Sequence, residues 1–209
     1  MWAVSVDLAL VVGHNRLRQG AYSPALDQYE WEWCGGLAAL IAGAVQRLSG
    51  PSVSVFEREV GVLYSEEMRR LVQTLDLARP RLIVSLHFNS IGDGSRSGCA
   101  ALYCPGSTRG KEAAEALCTA VAGVLGNRRI GAIPQSRSWS TIGTRADGSA
   151  YPAGRKLAVL TSTRAPAVLL EPFFGDHAED ATIADHARNS GTLPKAIAEA
   201  CSDLLKRWA

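Results

Sequence analysis

The sequence predicts a single α/β domain over residues 1–209, with a twisted, mostly parallel sheet flanked by helices on both faces. Three observations predict it. Short apolar runs alternate with longer stretches of helical periodicity, as in repeated strand–helix units. Three of those runs, at 8–12, at the opening of 81–90 and at 167–170, are almost continuously apolar, as strands buried on both faces are. A chain of 209 residues, 47% apolar and 20% charged, suits one soluble globular domain large enough to bury a sheet between helices.

The elements follow in order. Residues 2–12 form the first strand, and 15–29 a loop containing Gly, Pro and Ser. A helix is expected from about Tyr29 to Leu48, because Leu37, Leu40, Ile41, Ala44 and Val45 recur at helical spacing and Gly50-Pro51 ends it. Residues 52–56 alternate as a strand does. Ser65 reads as the cap of a second helix reaching Leu77, with Glu66 and Glu67 in its first turn. Pro80 separates that helix from a central strand within 81–90. Alternation there puts Leu82, Val84, Leu86 and Phe88 on one face and Ile83, Ser85, His87 and Asn89 on the other. A strand is expected at 98–103 and a helix from Ser107 to Leu125. Residues 127–154 read as a long loop with short strands. Strands are expected at 156–160 and 166–170, and a last helix runs to Trp208 with Pro194 in its first turn.

Composition excludes several classes. A net charge of +2 gives no field suited to nucleic acid. No apolar stretch reaches the ~20 residues of a membrane span, so no membrane insertion is expected. Five cysteines (Cys34, Cys99, Cys104, Cys118 and Cys201) are odd in number and lack C-x-x-C spacing. This argues against a disulfide framework or a cysteine zinc site. They read instead as small buried hydrophobes of a protein folding in a reducing cytoplasm. No basic leader precedes the first apolar run, so synthesis without a signal peptide is expected. Internal repeats and low-complexity tracts are not visible.

The chemistry gathers where the buried strands stop. Leu8–Val12 runs into Gly13-His14-Asn15, the central strand into His87, and Ala167–Leu170 into Glu171. Open α/β sheets bind ligands at the carboxyl edge of their strands. If these three strands are parallel neighbours, His14, His87 and Glu171 meet there. A catalytic zinc takes about three protein ligands and leaves one position open. Two histidines supply two ligands. The third should come from the loop or helix start after the first strand, where Glu30 and Glu32 compete. Each group also has an ordinary explanation. Strand-end histidines make simple hydrogen bonds, and an acid such as Glu171 can pair with an arginine or sit at a helix start. The remaining histidines, His177 and His186, read as surface or loop residues.

Four segments carry a family resemblance. Val12-Gly13-His14-Asn15, Tyr29-Glu30-Trp31-Glu32-Trp33, Ser85-Leu86-His87-Phe88-Asn89 and Ala167-Val168-Leu169-Leu170-Glu171-Pro172-Phe173-Phe174 resemble, in order, the signature blocks of zinc-dependent N-acetylmuramoyl-L-alanine amidases of the amidase_3 type. The resemblance spans nearly the whole chain. It implies a Zn2+ cofactor with His14, Glu30 and His87 as metal ligands, and Glu171 as the catalytic acid–base residue. It also implies hydrolysis of the amide between N-acetylmuramic acid and L-alanine in peptidoglycan. Cys34 stands where the family has an Asn, and the family's arginine pattern is only loosely echoed at Arg69 and Arg70.

An enzyme of this kind without a leader fits a phage-type endolysin, synthesised in the cytoplasm and acting on the cell wall after release or delivery. A catalytically silent peptidoglycan-binding or virion module on the same fold is the competing reading, which loss of a ligand position would mark. All four positions are filled. Zinc carboxypeptidases bring a ligating His and Glu closer together in sequence than His14 and Glu30 stand. Arg128, Arg129, Arg137, Arg145 and Arg155 are candidates to recognise stem-peptide carboxylates, or form a solvated basic loop.

Overall fold

The structure, a computed structural model, describes residues 6–48, 50–126, 129–134 and 157–209. Its centre is a six-stranded sheet of β1 (Leu8–Val12), β4 (Val53–Glu57), β5 (Leu82–Leu86), β6 (Cys99–Tyr103), β7 (Arg129–Pro134) and β8 (Ala167–Glu171). The spatial order is β4-β1-β5-β8-β6-β7. The β6–β8 pairing is antiparallel and every other pairing in this sheet is parallel. The three strands picked out by their uninterrupted apolar runs are therefore consecutive parallel neighbours. A two-stranded hairpin, β2 (Tyr22–Ser23) with β3 (Gln28–Tyr29), stands apart from the sheet.

Helices cover both faces. On one face α1 (Glu30–Arg47), α3 (Thr108–Leu125), α5 (Ala178–Asn189) and α6 (Thr192–Arg207) enclose the larger core, which includes Leu82, Val84, Leu86 and Phe88. On the other, α2 (Tyr64–Ala78) and α4 (Ala158–Thr161) pack against Ala9, Val11, Ile83 and Leu169. The alternation expected for the central strand thus sorts its residues between two cores. Strands β1 and β5 are buried along their whole length, while the edge strand β4 is half exposed. Among the described residues no helix is long and apolar enough to cross a membrane. All five cysteines are free, and only Cys104 is not fully buried.

Three local expectations are corrected. Residues 158–161 form a short helix, not a strand; Thr161 N–H and Ser162 N–H close its turn on Leu157 and Ala158 carbonyls. Ser65 does not cap α2. The helix starts at Tyr64, and the Glu67 carboxylate organises its entry by accepting the Gly61 N–H at 2.9 Å. The polar stretch after Glu171 contains a full helix, α5, whose N-cap is His177: its Nδ1 accepts the Asp180 N–H at 3.2 Å. His186 lies on the exposed side of that helix. The helices α1, α3 and α6 and the strand β6 begin and end within a residue or two of expectation, with Ser107 capping α3 through the Gly110 N–H. The first strand starts only at Leu8 and the central strand stops at Leu86, residues 2–5 of the first strand's expected range lying outside the described residues. The expected loop at 127–154 contributes β7, and its residues 127–128 and 135–154 lie outside the described residues as well.

Candidate metal centre and active site

The site is built at the carboxyl edge of β1, β5 and β8. Hydrogen bonding continues past the strand ends: Gly13 N–H donates to Leu86 O at 2.9 Å and His87 N–H to Leu170 O at 3.0 Å. Asn89 N–H then donates to Phe173 O, and Gly175 N–H to Asn89 O. The residues just beyond the strands are therefore held as firmly as the strands themselves. His14 has φ 66, in the left-handed region that non-glycine residues avoid. Such outliers persist where surrounding structure enforces them, and they concentrate at functional sites. Here the turn is closed by Asn15, whose Oδ1 accepts the N–H groups of Leu17 and Arg18.

Glu30 opens α1, and its backbone N–H donates to Ala21 O at 2.9 Å. Its carboxylate is buried, 4% exposed, between the two histidines. Oε1 lies 2.6 Å from His87 Nδ1, and Oε2 lies 3.2 Å from His14 Nε2. Oε2 also accepts the Ala21 N–H at 3.1 Å. The imidazole rings meet edge to face with centroids 5.3 Å apart. Burial alone would raise the Glu30 pKa; the charge and hydrogen bond of His14, then those of His87, outweigh it and hold the carboxyl down at about 2. Glu32, the competing acid, is exposed and is not part of this cluster.

The donor set suits a divalent cation. One nitrogen from each histidine and one Glu30 oxygen all lie within 4.8 Å of one another. Ligand atoms at ~2.0–2.1 Å from a tetrahedral zinc stand roughly 3.4 Å apart, which the observed separations bracket. Space for them is kept by glycines. A Cβ on Gly13 would come within 2.7 Å of the His87 ring, and one on Gly20, at φ +82, within 2.4 Å of Glu30 Oε2.

Glu171 ends β8 beside this cluster. Its Oε2 is buried and has no hydrogen-bond partner. Burial pushes its carboxyl up to about 8, His87 opposing this and the negative Glu30 adding to it. An unpartnered buried carboxyl is costly unless a ligand, ion or water completes it. Beneath the site, Trp33, Phe88 and Phe173 interlock, with Trp33 and Phe173 centroids 4.8 Å apart. Cys34 lies fully buried one turn along α1 from Glu30; burial, then the charges of Glu30 and Glu171, keep its thiol protonated.

The four residues singled out in the sequence are thus brought to one edge. Three features of the rim escaped sequence reading. Asp176 Oδ2 accepts the N–H groups of Ile91 and Gly92 and braces the loop after His87. Buried Glu67 ties the His14 loop to α2, with Arg18 Nη1 at 2.9 Å and Arg58 Nε at 3.3 Å. The hairpin preceding Glu30 is the third. An acid or tyrosine at those positions carries no local pattern. Arg128, Arg137, Arg145 and Arg155 lie outside the described residues, as does the side chain of Arg129.

A largely parallel sheet with two imidazoles and a carboxylate converging at its carboxyl edge, and a second buried acid alongside, defines an α/β enzyme with a candidate metal centre. The chain belongs to the amidase_3 family, described as N-acetylmuramoyl-L-alanine amidase, which it matches over residues 8–203. Solved structures share the fold. Cwp6 from Clostridium difficile is 21% identical with a TM-score of 0.74, over 97% of this chain and 30% of that one. The catalytic domain of the CD27L endolysin targeting Clostridia difficile is 21% identical with a TM-score of 0.73, over 97% of both chains. The catalytic domain of CwlV, an N-acetylmuramoyl-L-alanine amidase from Bacillus (Paenibacillus) polymyxa var. colistinus, is 19% identical with a TM-score of 0.68, again over 97% of both. This chain therefore spans 30% of the solved Cwp6 chain but 97% of an isolated catalytic domain. No curated protein sequence matches it.

Proposed function

We propose that residues 1–209 form one zinc-dependent catalytic domain that hydrolyses the amide joining N-acetylmuramic acid to L-alanine in peptidoglycan. The observation that carries the reading is the buried Glu30 carboxylate shared between His14 and His87, with Glu171 beside it. His14, Glu30 and His87 would hold the zinc. When bound, zinc acts as a Lewis acid on the scissile carbonyl and brings the pKa of water at the site down to about 7.

The chain's own groups supply the rest. The buried setting of Glu171 makes it a stronger base than an exposed carboxylate. Its Oε2 takes the proton of the attacking water and then passes it to the departing L-alanine nitrogen. That transfer matters because an amide nitrogen leaves only once protonated. Glu30 stays ionised throughout, as its depressed pKa requires, and offsets positive charge at the centre. Asn15 and the Asp176-braced loop hold the rim in place. The protein acts on the cell wall after leaving the compartment of synthesis.

The test combines metal content with product. The purified protein should carry one zinc per chain by elemental analysis and release new L-alanine N-termini from purified cell walls. Chelation should abolish release and zinc should restore it. A chain that is metal-free and active, or zinc-loaded and inert on every cell wall tried, overturns the reading.

A further inference from the structure

The hairpin before α1 is a piece of surface that the amidase chemistry leaves unused. Tyr22 and Tyr29 are directly opposed across its two antiparallel strands, so their side chains leave from the same face. Their rings lie 5.1 Å apart between centroids. On the other face Ser23 is fully buried and Leu26 packs on the core, which leaves the tyrosines outward, 42% and 44% exposed. Two adjacent exposed rings offer a flat apolar face with a polar tip on each, a surface suited to contact at a wet boundary. Tyr22 is also held in place, because its hydroxyl donates to the Asp27 carboxylate.

The pair is anchored to the site. Tyr29 precedes Glu30 directly. Tyr22 follows Ala21, which donates its N–H to the Glu30 carboxylate and accepts the Glu30 N–H. Both rings therefore rise one residue from the groups around the proposed metal ligand, about 4 Å along the chain. In the proposed substrate only a short lactyl linker separates the muramic acid ring from the scissile amide. A substrate bound at His14, Glu30 and His87 thus brings its sugar, not its distal stem peptide, within reach of a neighbouring aromatic surface. Pyranose rings present C–H faces that pack on aromatic rings, with hydroxyls left to water and to polar groups such as Asp27.

We propose that Tyr22 and Tyr29 form a saccharide subsite that holds the glycan strand of peptidoglycan beside the scissile amide; this rests on the amidase reading above. Thr replacements test it, because Thr keeps strand propensity at position 22 and is a good helix N-cap at position 29, where α1 now starts without a side-chain cap. Peptide-free β-1,4-linked N-acetylglucosamine–N-acetylmuramic acid strands serve as the binding probe, by calorimetry or saturation-transfer NMR. The wild-type chain should bind them, and Tyr22→Thr and Tyr29→Thr should each weaken binding by about fivefold, the scale of one aromatic contact. Tyr29→Phe should bind as wild type.

In turnover, both Thr variants should raise KM on a muramoyl peptide while leaving KM on a sugar-free lactoyl peptide and kcat on either unchanged. Equal glycan binding by wild type and both Thr variants overturns the proposal, as does a KM rise of the same size on the sugar-free peptide. Glycan binding lost in the Thr variants of a chain that cleaves neither peptide would instead overturn the amidase reading and leave the subsite standing.

Discussion

Glu171 and Glu30 are acids at the same edge with opposite electrostatics, and the difference has consequences at the bench. Glu171→Gln keeps volume but removes the proposed base, so zinc content should stay at wild type while release of L-alanine N-termini falls by about a hundredfold or more. Its pH dependence has a definite sign. With a folded pKa near 8 against an ordinary 4.5, Glu171 in the metal-free protein is protonated when folded and ionised when unfolded between those values. Its contribution to stability is therefore present at low pH and is lost as pH rises toward 8. Chelated Glu171→Gln should melt at or above chelated wild type at pH 8. A purely structural acid predicts lower melting with activity kept in the folded fraction. The two glutamates of α1 separate as cleanly. Glu30→Ala should lose the metal, and Glu32→Ala, exposed and outside the cluster, should keep it; zinc content of the two proteins decides.

At the scale of elements, the site depends on how strand ends and loops are braced. Buried Glu67 joins the loop bearing His14 to the start of α2. Burial raises its pKa, but the Gly61 N–H and the charges of Arg58 and Arg18 outweigh this and hold the carboxyl below its ordinary value. Glu67 therefore stabilises the fold above the unfolded pKa, and that contribution is lost as pH falls through the folded one. Glu67→Gln removes the buried negative charge that faces Arg58 and Arg18, and breaking a buried ion pair at one partner costs about 3–5 kcal/mol. In a chain of this length that is roughly 10 °C in Tm at pH 7. The deficit should shrink as pH falls below the ordinary carboxyl value of 4.5, and a deficit independent of pH would argue against the ion pair. Gly20→Ala tests the other brace. Its Cβ would collide with Glu30 Oε2, so zinc should be lost to a chelator at lower chelator concentration than from wild type, with the fold retained.

Across the whole molecule, the candidate metal centre joins the entry of α1 to the ends of β1 and β5, elements that also carry the larger core. A ligand that binds only the folded state stabilises it, by about 2.7 kcal/mol at a hundred times its Kd. Saturating zinc should therefore raise Tm by roughly 5–10 °C over the chelated protein. His87→Ala should show no such rise. A full rise in that variant would place the metal elsewhere.

Much of this was legible in the residues. Uninterrupted apolar runs identified β1, β5 and β8 because strands buried on both faces have no polar side to encode. Alternation assigned His87 its face because the side-chain period of a strand is fixed at two. His14, Glu30, His87 and Glu171 stood out because polar groups that end buried strands or open the following helix need partners. What sequence reading could not supply was long-range. The antiparallel insertion of β6 beside β8 depends on which strand edge the chain returns to, and local pattern does not encode that. Helix α5 was hidden because its polar residues outnumber the four alanine-sized or acidic ones that it buries, so packing rather than periodicity holds it. Glu30 and Glu32 share the first turn of α1, and the family resemblance favoured Glu30; that its carboxylate is buried against the two histidines while Glu32 is exposed is a matter of which side of that turn faces the sheet edge. Residue types and spacing determined the chemistry available at the sheet edge; only tertiary structure decided which atoms share one buried point, because distance between remote segments is created by folding and not carried by either segment alone.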